Sequence, residues 1–361
     1  METNKSQGEP GRSGSKLSLE LVQVLDATTD ILDELRGSSV LITGGTGFIG
    51  SWLLESLKFA NQELGLKIRV TILTRDLARF HIKSPHLAEY AEFTFLFGDV
   101  RNFESPKGRF SHVIHAATDS SQSLNLANPK QMFETIVSGT TRVLDFAVEK
   151  RSERVLLLSS GAIYGKQPDD LAKLSEDWPS SVDLADPINA YAEGKRGAEM
   201  LAAIYGRQFG LQIAVARIFA LIGPYLPLDI HYAAGNFVRD ALEGKTLVVN
   251  GSGLPVRSYL YASDLVVWLL KLLLRGRPGI PYNVGSENEI SIRSLAEVIA
   301  NTVGNGKYRV LGKEDGGVNP GRYVPDTTRI RKEICVREQV PLVDAIRRTA
   351  QWYGWEGNKL K

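Results

Sequence analysis

The chain has 361 residues, of which 43% are hydrophobic and 23% are charged, as is usual for a globular protein with a substantial core. Its 43 basic and 41 acidic residues leave a net charge of +2, which excludes the strongly basic footprint of nucleic-acid-binding and anionic-membrane-binding proteins. Cys335 is the single cysteine, which excludes an intrachain disulfide and a thiolate zinc site and fits a reducing compartment. The five histidines show no metal-binding spacing, so we predict no metal.

Export and membrane signals are not predicted. The N-terminus is polar and lacks the apolar segment of a secretion signal. The longest apolar run, at 265–274, is too short to cross a bilayer and predicts a buried helix. We therefore expect a cytoplasmic protein without a membrane or nucleic-acid partner.

The N-terminal segment 1–37 precedes the first predicted strand. Residues 1–16 are rich in glycine, serine and charged residues, which predicts a disordered tail. Residues 17–36 carry leucines and valines at helical spacing, which predicts a helical extension. Buried apolar runs then alternate with helical stretches. The predicted strands are 38–43, 67–74, 93–97, 112–117, 154–159 and 212–217, and the clearest predicted helices are 129–150 and 188–209.

This alternation is typical of an α/β protein with a Rossmann-type, doubly wound parallel sheet. We predict that the dinucleotide-binding domain covers residues 38–220. After residue 220, glycine and proline recur and the apolar runs shorten. This change predicts a smaller C-terminal α/β lobe at 221–361, mainly for substrate binding, which forms the far wall of a cleft.

The first predicted strand leads directly into a glycine-rich turn. Gly44, Gly47 and Gly50 have the spacing G-x-x-G-x-x-G, and Phe48 and Ile49 open an apolar helix. The glycines let the backbone approach a pyrophosphate, and the helix N-terminus offers unpaired N–H groups. A tight turn without a ligand is the alternative, but the position at the start of a βαβ pattern favours a dinucleotide site.

Tyr191 and Lys195 lie one turn apart on one face of the predicted helix 188–209. An ammonium near a phenol favours the phenolate, which can take a hydroxyl proton while a hydride leaves the same carbon for a nicotinamide. Ser160 follows the fifth strand, at the edge where open α/β sheets bind ligands, and its hydroxyl could hold the reacting oxygen. A solvated helix face and a serine that satisfies backbone groups are the alternatives, but the order of the three elements favours catalysis.

These elements, in this order, resemble the extended short-chain dehydrogenase/reductase family of nucleotide-sugar epimerases, dehydratases and reductases. The resemblance covers roughly residues 38–355. Further matching motifs are Gly98-Asp99-Val100-Arg101, His115-Ala116-Ala117, Gly139-Thr140, Arg217-Ile218-Phe219 with Gly223-Pro224, Gly251-Ser252-Gly253 with Arg257, and Tyr282-Asn283-Val284-Gly285.

The resemblance implies a role for each matching position. Ser160, Tyr191 and Lys195 would form the catalytic triad, and Lys195 would also hold the nicotinamide ribose. Arg257 would pair with the pyrophosphate of a nucleotide-diphosphate sugar, a task that suits a bidentate guanidinium, and Asn236 is a further candidate for it. The other implied cofactor contacts are Gly44, Gly47, Phe48, Ile49, Gly50, Asp99 at the adenine, Val100, Ala116 and Ala117. The family also implies a homodimer formed by the helices 129–150 and 188–209.

Departures from the family pattern narrow the choice among the reactions of the family. Family 4,6-dehydratases usually carry an Asp-Glu pair directly after the hydroxyl residue, and the related decarboxylases usually keep the Glu, but Gly161 and Ala162 stand here. The reactions of the family that remain need only the catalytic triad. We predict a C4 epimerase, with a 4-ketoreductase as the close alternative. A 4,6-dehydratase that borrows Asp119 or Glu193, and a non-catalytic dinucleotide-binding sensor, are the further alternatives.

Three other departures replace polar residues of the family. Ile136 and Ala220 stand where the family often has Asn, and Gly194 stands where it usually has Ser before the catalytic lysine. They leave the triad intact but predict a different proton relay and different substrate contacts.

The end of the second strand bears on the choice of cofactor. An acidic residue there would hold the adenosine ribose hydroxyls and favour NAD, but the sequence is Thr74-Arg75-Asp76. Arg75 could pair with a 2′-phosphate, so we predict NADP. NAD is the alternative, because Asp76 follows directly.

Overall fold

The structure, a computed structural model, describes residues 17–118, 122–180, 182–229, 232–312 and 321–357. The predicted tail 1–16 and Asp119 lie outside this part. The strands are β1 (Ser39–Thr43), β2 (Arg69–Thr74), β3 (Phe93–Phe97), β4 (His112–His115), β5 (Arg154–Ser160), β6 (Ile213–Ile218), β7 (Leu221–Ile222), β8 (Leu247–Val249), β9 (Val256–Ser258), β10 (Leu260–Tyr261), β11 (Pro281–Val284), β12 (Glu289–Ser291), β13 (Tyr308–Val310) and β14 (Arg322–Tyr323). The helices are α1 (Ser18–Leu32), α2 (Phe48–Leu64), α3 (Leu77–Lys83), α4 (Pro85–Ala88), α5 (Gln122–Ala127), α6 (Pro129–Lys150), α7 (Ala190–Phe209), α8 (Ala233–Leu242), α9 (Ala262–Arg275), α10 (Ile292–Thr302), α11 (Thr328–Glu333) and α12 (Leu342–Trp352).

Seven parallel strands form the central sheet in the order β3-β2-β1-β4-β5-β6-β11. β4 and β5 are buried almost throughout, which explains why they appear as continuous apolar runs rather than alternating ones. The strand order reverses at β1, so the crevice beyond its C-terminal end is the expected ligand site. The predicted Rossmann-type fold is confirmed, and its six predicted strands lie within two residues of their predicted bounds.

The chain returns to this sheet after residue 220. β11 pairs with β6, with Pro281 opposite Val215, and α9 packs against β5, β6, α1 and α2. Most side chains of α9 are buried, because the sheet covers one side of the helix and α1 and α2 cover the other. The region 221–361 therefore contributes α9 and β11 to the half of the molecule that contains the glycine turn. Across the described residues, α9 included, no helix has the length and apolarity to span a membrane.

Helix α1 is part of the folded body. Its side chains Leu21, Val24 and Ile31 are buried in the same apolar core as α9. Arg275 of α9 forms an ion pair with Glu34, directly after α1. The helix therefore covers α9, which would otherwise expose a long leucine-rich surface.

The smaller lobe faces the C-terminal ends of the central strands. α8, α10 and α12 surround its core, which includes Val238, Ile299 and Ile346. In a three-stranded sheet, β9 pairs antiparallel with β12 and parallel with β14. This pairing places Tyr323 opposite Arg257, so that two distant parts of the lobe meet at the cleft.

Candidate active site

A cavity of about 1180 Å³ lies between the C-terminal edge of the central sheet and the smaller lobe. It exceeds the roughly 300–1,000 Å³ usual for one small ligand, so it has room for a dinucleotide beside a second ligand. Asn236 lies on α8, outside the cavity lining, and its side-chain oxygen accepts a hydrogen bond from Arg239. The structure therefore does not bring Asn236 to the other predicted residues. Those that line the cavity are Gly44, Gly47, Phe48, Ile49, Gly50, Arg75, Asp99, Val100, Ala116, Ala117, Ser160, Tyr191, Lys195 and Arg257.

The glycine turn between β1 and α2 leaves no room for side chains at two positions. Gly44 has a φ of +73°, and a Cβ there would lie 2.6 Å from the carbonyl carbon of Ala116. A Cβ at Gly50 would clash with the backbone of Gly44 and Gly45. Beyond the turn, the first N–H groups of α2 have no acceptor within the helix. This cradle and the positive end of the helix dipole fit a pyrophosphate.

One end of the cavity, here called the adenosine end, lies beyond β2 and β3 and is lined by Arg75, Arg79 and Asp99. Asp76 caps α3 by accepting a hydrogen bond from the Arg79 N–H at 2.9 Å. The side chain of Arg101 binds the Asp99 carboxylate at 2.8 Å and holds its pKa below the usual range. Both carboxylates are thus engaged locally, whereas Arg75 and Arg79 are exposed and form no ion pair with the described residues.

The predicted triad meets at the other end of the cavity. Ser160 ends β5, and Tyr191 and Lys195 lie on the face of α7 that borders the cavity. The Lys195 ammonium donates hydrogen bonds of 2.8 Å to the Leu158 carbonyl and to the Thr118 hydroxyl. Its Nζ lies 6.0 Å from the centre of the Tyr191 ring. Burial lowers the pKa of Lys195 to about 8.

The protonation of Tyr191 differs from the expectation. Burial raises the pKa of Tyr191 to about 12, although a hydrogen bond with Ser160 acts in the opposite direction. The prediction that Lys195 lowers this pKa is wrong for this structure, because the ammonium binds Thr118 and Leu158 and because burial dominates. Tyr191 is therefore a neutral phenol that can donate a proton.

Arg217, from one of the matching motifs, connects the elements that carry the predicted triad. Its guanidinium forms an ion pair with Glu199 of α7 at 2.8 Å and donates to the Tyr164 hydroxyl at 2.8 Å. Ser159 of β5 donates to the same glutamate at 2.5 Å. These partly buried contacts tie β5, β6 and α7 together and so hold Ser160 in a constant position relative to α7.

Two of the departures from the family pattern, Ile136 and Gly194, lie against each other in the structure. Ile136 on α6 is buried against α7, and a Cβ at Gly194 would lie 3.0 Å from its Cδ1 atom. The isoleucine therefore leaves little room for a serine at position 194, so the two replacements depend on each other.

Acidic groups are scarce at the site. Asp99 is the one carboxylate among the described residues that line the cavity, and it lies four strand positions from β5, or roughly 19 Å at about 4.8 Å per strand. Glu193 forms an ion pair with Arg196 at 2.9 Å and does not line the cavity. Asp119 lies outside the described residues. In the described part of the chain, no group of three or more His, Cys, Asp or Glu residues could hold a metal ion.

Several residues reach the cavity without having been predicted. Thr118 and Asn125 come from the segment after β4, and the Asn125 side chain accepts a hydrogen bond from the Tyr191 N–H at 3.2 Å. A polar residue directly after a buried strand was a usable signal for Thr118. Tyr232 and Tyr323 come from the smaller lobe, and no local pattern marks them, because only the tertiary fold brings them to the sheet.

Comparison with known proteins identifies the family of the chain. Residues 40–285 match the NAD dependent epimerase/dehydratase family. UDP-glucuronic acid decarboxylase 1 of Xenopus tropicalis is 30% identical over 322 residues, which cover 89% of this chain and 73% of that protein. UDP-glucuronic acid decarboxylase 5 of Arabidopsis thaliana is 30% identical over 324 residues, which cover 84% of this chain and 88% of that protein.

Solved structures agree with the fold. A dTDP-glucose 4,6-dehydratase from Streptomyces venezuelae, solved with NAD and TYD bound, has a TM-score of 0.74 at 27% identity over 87% of this chain and 96% of its own. A UDP-N-acetylglucosamine 4-epimerase from Methanobrevibacter ruminantium has a TM-score of 0.75 at 20% identity over 88% and 98% of the two chains. At 20% identity, the similarity to the epimerase supports the fold alone. With the glycine turn and the triad in place, the chain belongs to the NAD-dependent epimerase/dehydratase family and is an enzyme of the extended short-chain dehydrogenase/reductase type.

Proposed function

We propose that the protein transfers a hydride at C4 of a nucleotide-diphosphate sugar, as a C4 epimerase or a 4-ketoreductase. One observation carries this proposal: Ser160, Tyr191 and Lys195 converge on a cavity whose described lining holds a single carboxylate, at the adenosine end. Hydride transfer at C4 needs a proton donor and acceptor at the sugar oxygen. It needs no further acid or base.

Loss of water is disfavoured by space as well as by sequence, and loss of carbon dioxide is disfavoured by sequence. A Cβ at Gly161 would lie 2.5 Å from the Tyr323 hydroxyl and 2.7 Å from the Phe219 ring. A carboxylate at position 161 would therefore displace both rings. The glutamate that decarboxylases of the family usually keep is Ala162 here, so we do not extend the activity named for the 30% identical relatives to this chain.

The proposed substrate class is supported by Arg257 and by the names of the similar proteins. Arg257 lines the cavity from β9. It donates to the Val256 and Gly321 carbonyls at 2.8 and 3.1 Å, which holds the guanidinium in a defined orientation. Guanidinium groups bind phosphate oxygens well. The relatives and neighbours are named for UDP- and dTDP-sugars, which supports a pyrophosphate-linked sugar as the ligand of Arg257.

The triad residues would divide the proton chemistry between them. When bound, the nicotinamide supplies or accepts the hydride at C4. The glycine turn would hold the pyrophosphate, and Lys195 would hold the nicotinamide ribose. Ser160 would hold the sugar O4 atom by a hydrogen bond. In reduction, the O–H bond of Tyr191 breaks as O4 gains the proton, and in oxidation the Tyr191 phenolate takes that proton back.

The raised pKa of Tyr191 favours the direction of reduction. Below a pH of about 12 the phenol keeps its proton, so it is ready to donate to the carbonyl oxygen of a 4-keto sugar. Oxidation needs the phenolate, which the positive charge of an oxidised nicotinamide stabilises by Coulombic attraction.

The residues at the adenosine end of the cavity favour the second of the two candidate reactions, 4-ketoreduction. Arg75 and Arg79 line it, and Asp76 is used as a helix cap. Such an arrangement suits the extra phosphate of NADP. Net reduction consumes one reduced cofactor in each turnover, whereas epimerisation returns the hydride to the sugar. A preference for NADPH therefore fits net reduction.

Turnover assays decide between these reactions. The protein would be incubated with NADP(H) or NAD(H) and UDP-, dTDP-, CDP- and GDP-hexoses, or their 4-keto-6-deoxy forms. C4 inversion without net cofactor use identifies an epimerase, and one-to-one consumption of reduced cofactor with a 4-keto sugar identifies a ketoreductase. A 4-keto-6-deoxy product from a hexose, or carbon dioxide from UDP-glucuronic acid, contradicts the proposal. Bound cofactor without turnover of any sugar favours the sensor.

We predict that Arg75→Ala combined with Arg79→Ala removes a preference for NADP. Each charge-assisted hydrogen bond to the 2′-phosphate is worth about 1.5–3 kcal/mol, so the loss of two of them should raise the Kd for NADP⁺ by at least roughly 100-fold. The Kd for NAD⁺ should change less than about threefold, because NAD lacks that phosphate. Isothermal titration calorimetry measures both constants.

The matched control is Lys107→Ala, which removes an exposed cation away from the cavity. Its Kd values should equal those of the wild type. If the wild type binds NAD⁺ more tightly than NADP⁺, and the double variant changes neither constant, the proposed preference for NADP is refuted.

A homodimer is the oligomeric state that we propose. α6 and α7 pack side by side and expose apolar side chains, with Phe133 at 41%, Met200 at 63% and Ile204 at 39% exposure. A second copy that pairs its own α6 and α7 with this surface would cover them. Met200→Glu with Ile204→Glu should halve the mass measured by light scattering. Leu19→Glu, on α1, is the control and should leave it unchanged, and a monomeric wild type would refute the dimer.

A further inference from the structure

The first turn of α7, which carries Tyr191, is held by a side chain from α5. The side-chain oxygen of Asn125 accepts a hydrogen bond from the Tyr191 N–H at 3.2 Å. The side-chain nitrogen of the same residue donates a hydrogen bond to the Ile188 carbonyl at 2.6 Å. Asn125 is buried and lines the cavity. One amide therefore binds the backbone on both sides of Ala190, the residue at which α7 begins.

The two backbone partners determine the orientation of the Asn125 amide. An amide carries one oxygen that accepts and one NH₂ group that donates. A flipped amide would place its NH₂ group against the Tyr191 N–H and its oxygen against the Ile188 carbonyl, so neither hydrogen bond could form. The Tyr191 N–H needs such an acceptor, because the first N–H groups of a helix have none within the helix.

Packing gives little support to the residues that lead into α7. They form a single 3₁₀ turn, Pro187–Asn189, in which no residue is buried. The Asn189 side chain donates a hydrogen bond to the Asp183 carbonyl at 2.9 Å, which ties the turn to the chain just before it. Asn125 ties the same turn to α5, beside the cavity. The start of α7 is therefore placed relative to the cavity by hydrogen bonds rather than by apolar burial.

The region after β4 also holds Lys195. Thr118 accepts a hydrogen bond of 2.8 Å from the Lys195 ammonium and donates its own proton to the Ala117 carbonyl at 2.8 Å. Lys195 lies four residues after Tyr191 on α7. The turn of α7 that carries both residues is therefore held at its start by Asn125 and at its end by Thr118.

We infer that Asn125 is a positioning residue for the hydride transfer proposed above: its amide fixes the backbone from which the Tyr191 phenol extends to the sugar oxygen. The inference rests on the proposed function. Asn125 acts through the Tyr191 main chain and transfers no proton itself. Because a proton passes only over a hydrogen-bond distance, a shift of about 1 Å in this backbone should slow the chemical step without weakening the binding of the cofactor.

The first test is Asn125→Ala, which removes both hydrogen bonds. We expect kcat to fall about 10- to 100-fold, while KM and the Kd for the cofactor stay within about twofold of the wild type. Asn189→Ala is the matched control, because it removes an amide that binds the backbone ahead of the same helix but does not line the cavity. It should keep the wild-type kcat.

Three results with Asn125→Ala would overturn the inference. An unchanged kcat would show that the amide does not position Tyr191. A raised KM at unchanged kcat would show that Asn125 binds a ligand instead. Equal losses of kcat and of cofactor binding would show a general loss of structure.

Asn125→Asp should make the positioning depend on pH. A protonated carboxyl group has nearly the shape of an amide, with one oxygen that accepts and one O–H that donates, so it can form both hydrogen bonds. The ionised carboxylate can only accept, and it would face the Ile188 carbonyl oxygen without a proton between them. The ratio of variant to wild-type kcat should therefore be close to one while the new carboxyl group is protonated. It should fall about tenfold or more once that group ionises.

The pH at which the ratio falls has a physical basis. Burial and the hydrogen bond to the Ile188 carbonyl both favour the protonated carboxyl group, so its pKa should lie above the ordinary value of about 3.9. Asn189→Asp is the control, because residue 189 is more exposed than residue 125, and its ratio should stay constant above about pH 5. A ratio for Asn125→Asp that does not fall as the pH rises contradicts the inference.

Thermal unfolding tests the geometry without any turnover. The folded variant Asn125→Asp should hold its carboxyl proton more tightly than the unfolded chain does, so this group stabilises the fold at low pH and stops doing so as the pH rises through its folded-state pKa. The Tm of Asn125→Asp should therefore fall relative to the wild type as the pH rises, whereas that of Asn189→Asp should not. A Tm difference independent of pH contradicts the placement of the amide. If the wild type turns over no sugar while the pH dependence is present, the proposed function fails and the placement of Asn125 stands.

Discussion

Tyr191→Phe should lower kcat for hydride transfer by about 10³-fold or more, in line with the 10²- to 10⁴-fold usually lost with a general acid. Phenylalanine keeps the ring and its packing but has no proton to give to the sugar oxygen. Cofactor binding should stay within about twofold of the wild type, since the glycine turn and Lys195 remain. Single-turnover oxidation of NADPH in the presence of a 4-keto sugar nucleotide measures the chemical step directly.

Tyr205→Phe is the control on the same helix. Its hydroxyl donates to Asp145 at 2.5 Å and does not line the cavity. This variant should keep kcat and KM, although it loses one hydrogen bond of the fold. If Tyr191→Phe retains more than a tenth of the wild-type kcat, Tyr191 is not the proton donor and the proposed mechanism has to be abandoned.

Gly50→Ala should prevent the glycine turn from forming. The added Cβ would clash with backbone atoms of Gly44 and Gly45, which cannot rotate away as a side chain can. Overpacking costs about 1–3 kcal/mol where side chains can adjust, so we expect at least about 3 kcal/mol here. Urea denaturation measures this loss, and fluorescence titration should show that dinucleotide binding is lost as well.

Gly47→Ala is the matched substitution three residues earlier. Its nearest non-neighbouring atom would be the Gly44 oxygen at 3.4 Å, an ordinary contact, and its φ of −81° suits any residue. Alanine at this helix N-cap should cost less than about 1 kcal/mol. Equal destabilisation by the two variants would show that the close packing around Gly50 does not limit the turn.

Local sequence patterns predicted the parts of the fold that depend on neighbouring residues. The glycine turn follows from chain chirality, because Gly44 adopts a φ of +73° that other residues avoid. α6 begins and ends at its predicted residues, since Asn128 and Pro129 favour a helix start and the apolar spacing continues to Lys150. The common face of Tyr191 and Lys195 follows from helical geometry once α7 is a helix.

The local environment of the catalytic groups was not predictable in the same way. The expected ammonium–phenol attraction assumed that the two side chains face each other, but Lys195 binds Thr118 and Leu158 instead. The pKa of Tyr191 depends on how completely the lobe and the sheet bury it. Burial is a sum over contacts from many segments, so spacing along one helix cannot determine it.

The sequence by itself determined the dinucleotide-binding turn, the Rossmann-type sheet and the identity of Ser160, Tyr191 and Lys195, because backbone geometry and apolar periodicity act over a few residues. Only the tertiary structure decided that Tyr323 joins the cavity and that Asn236 does not. It also decided that β11 extends the sheet. These features depend on how the smaller lobe packs against the strands, and residues far apart in the chain decide that packing together.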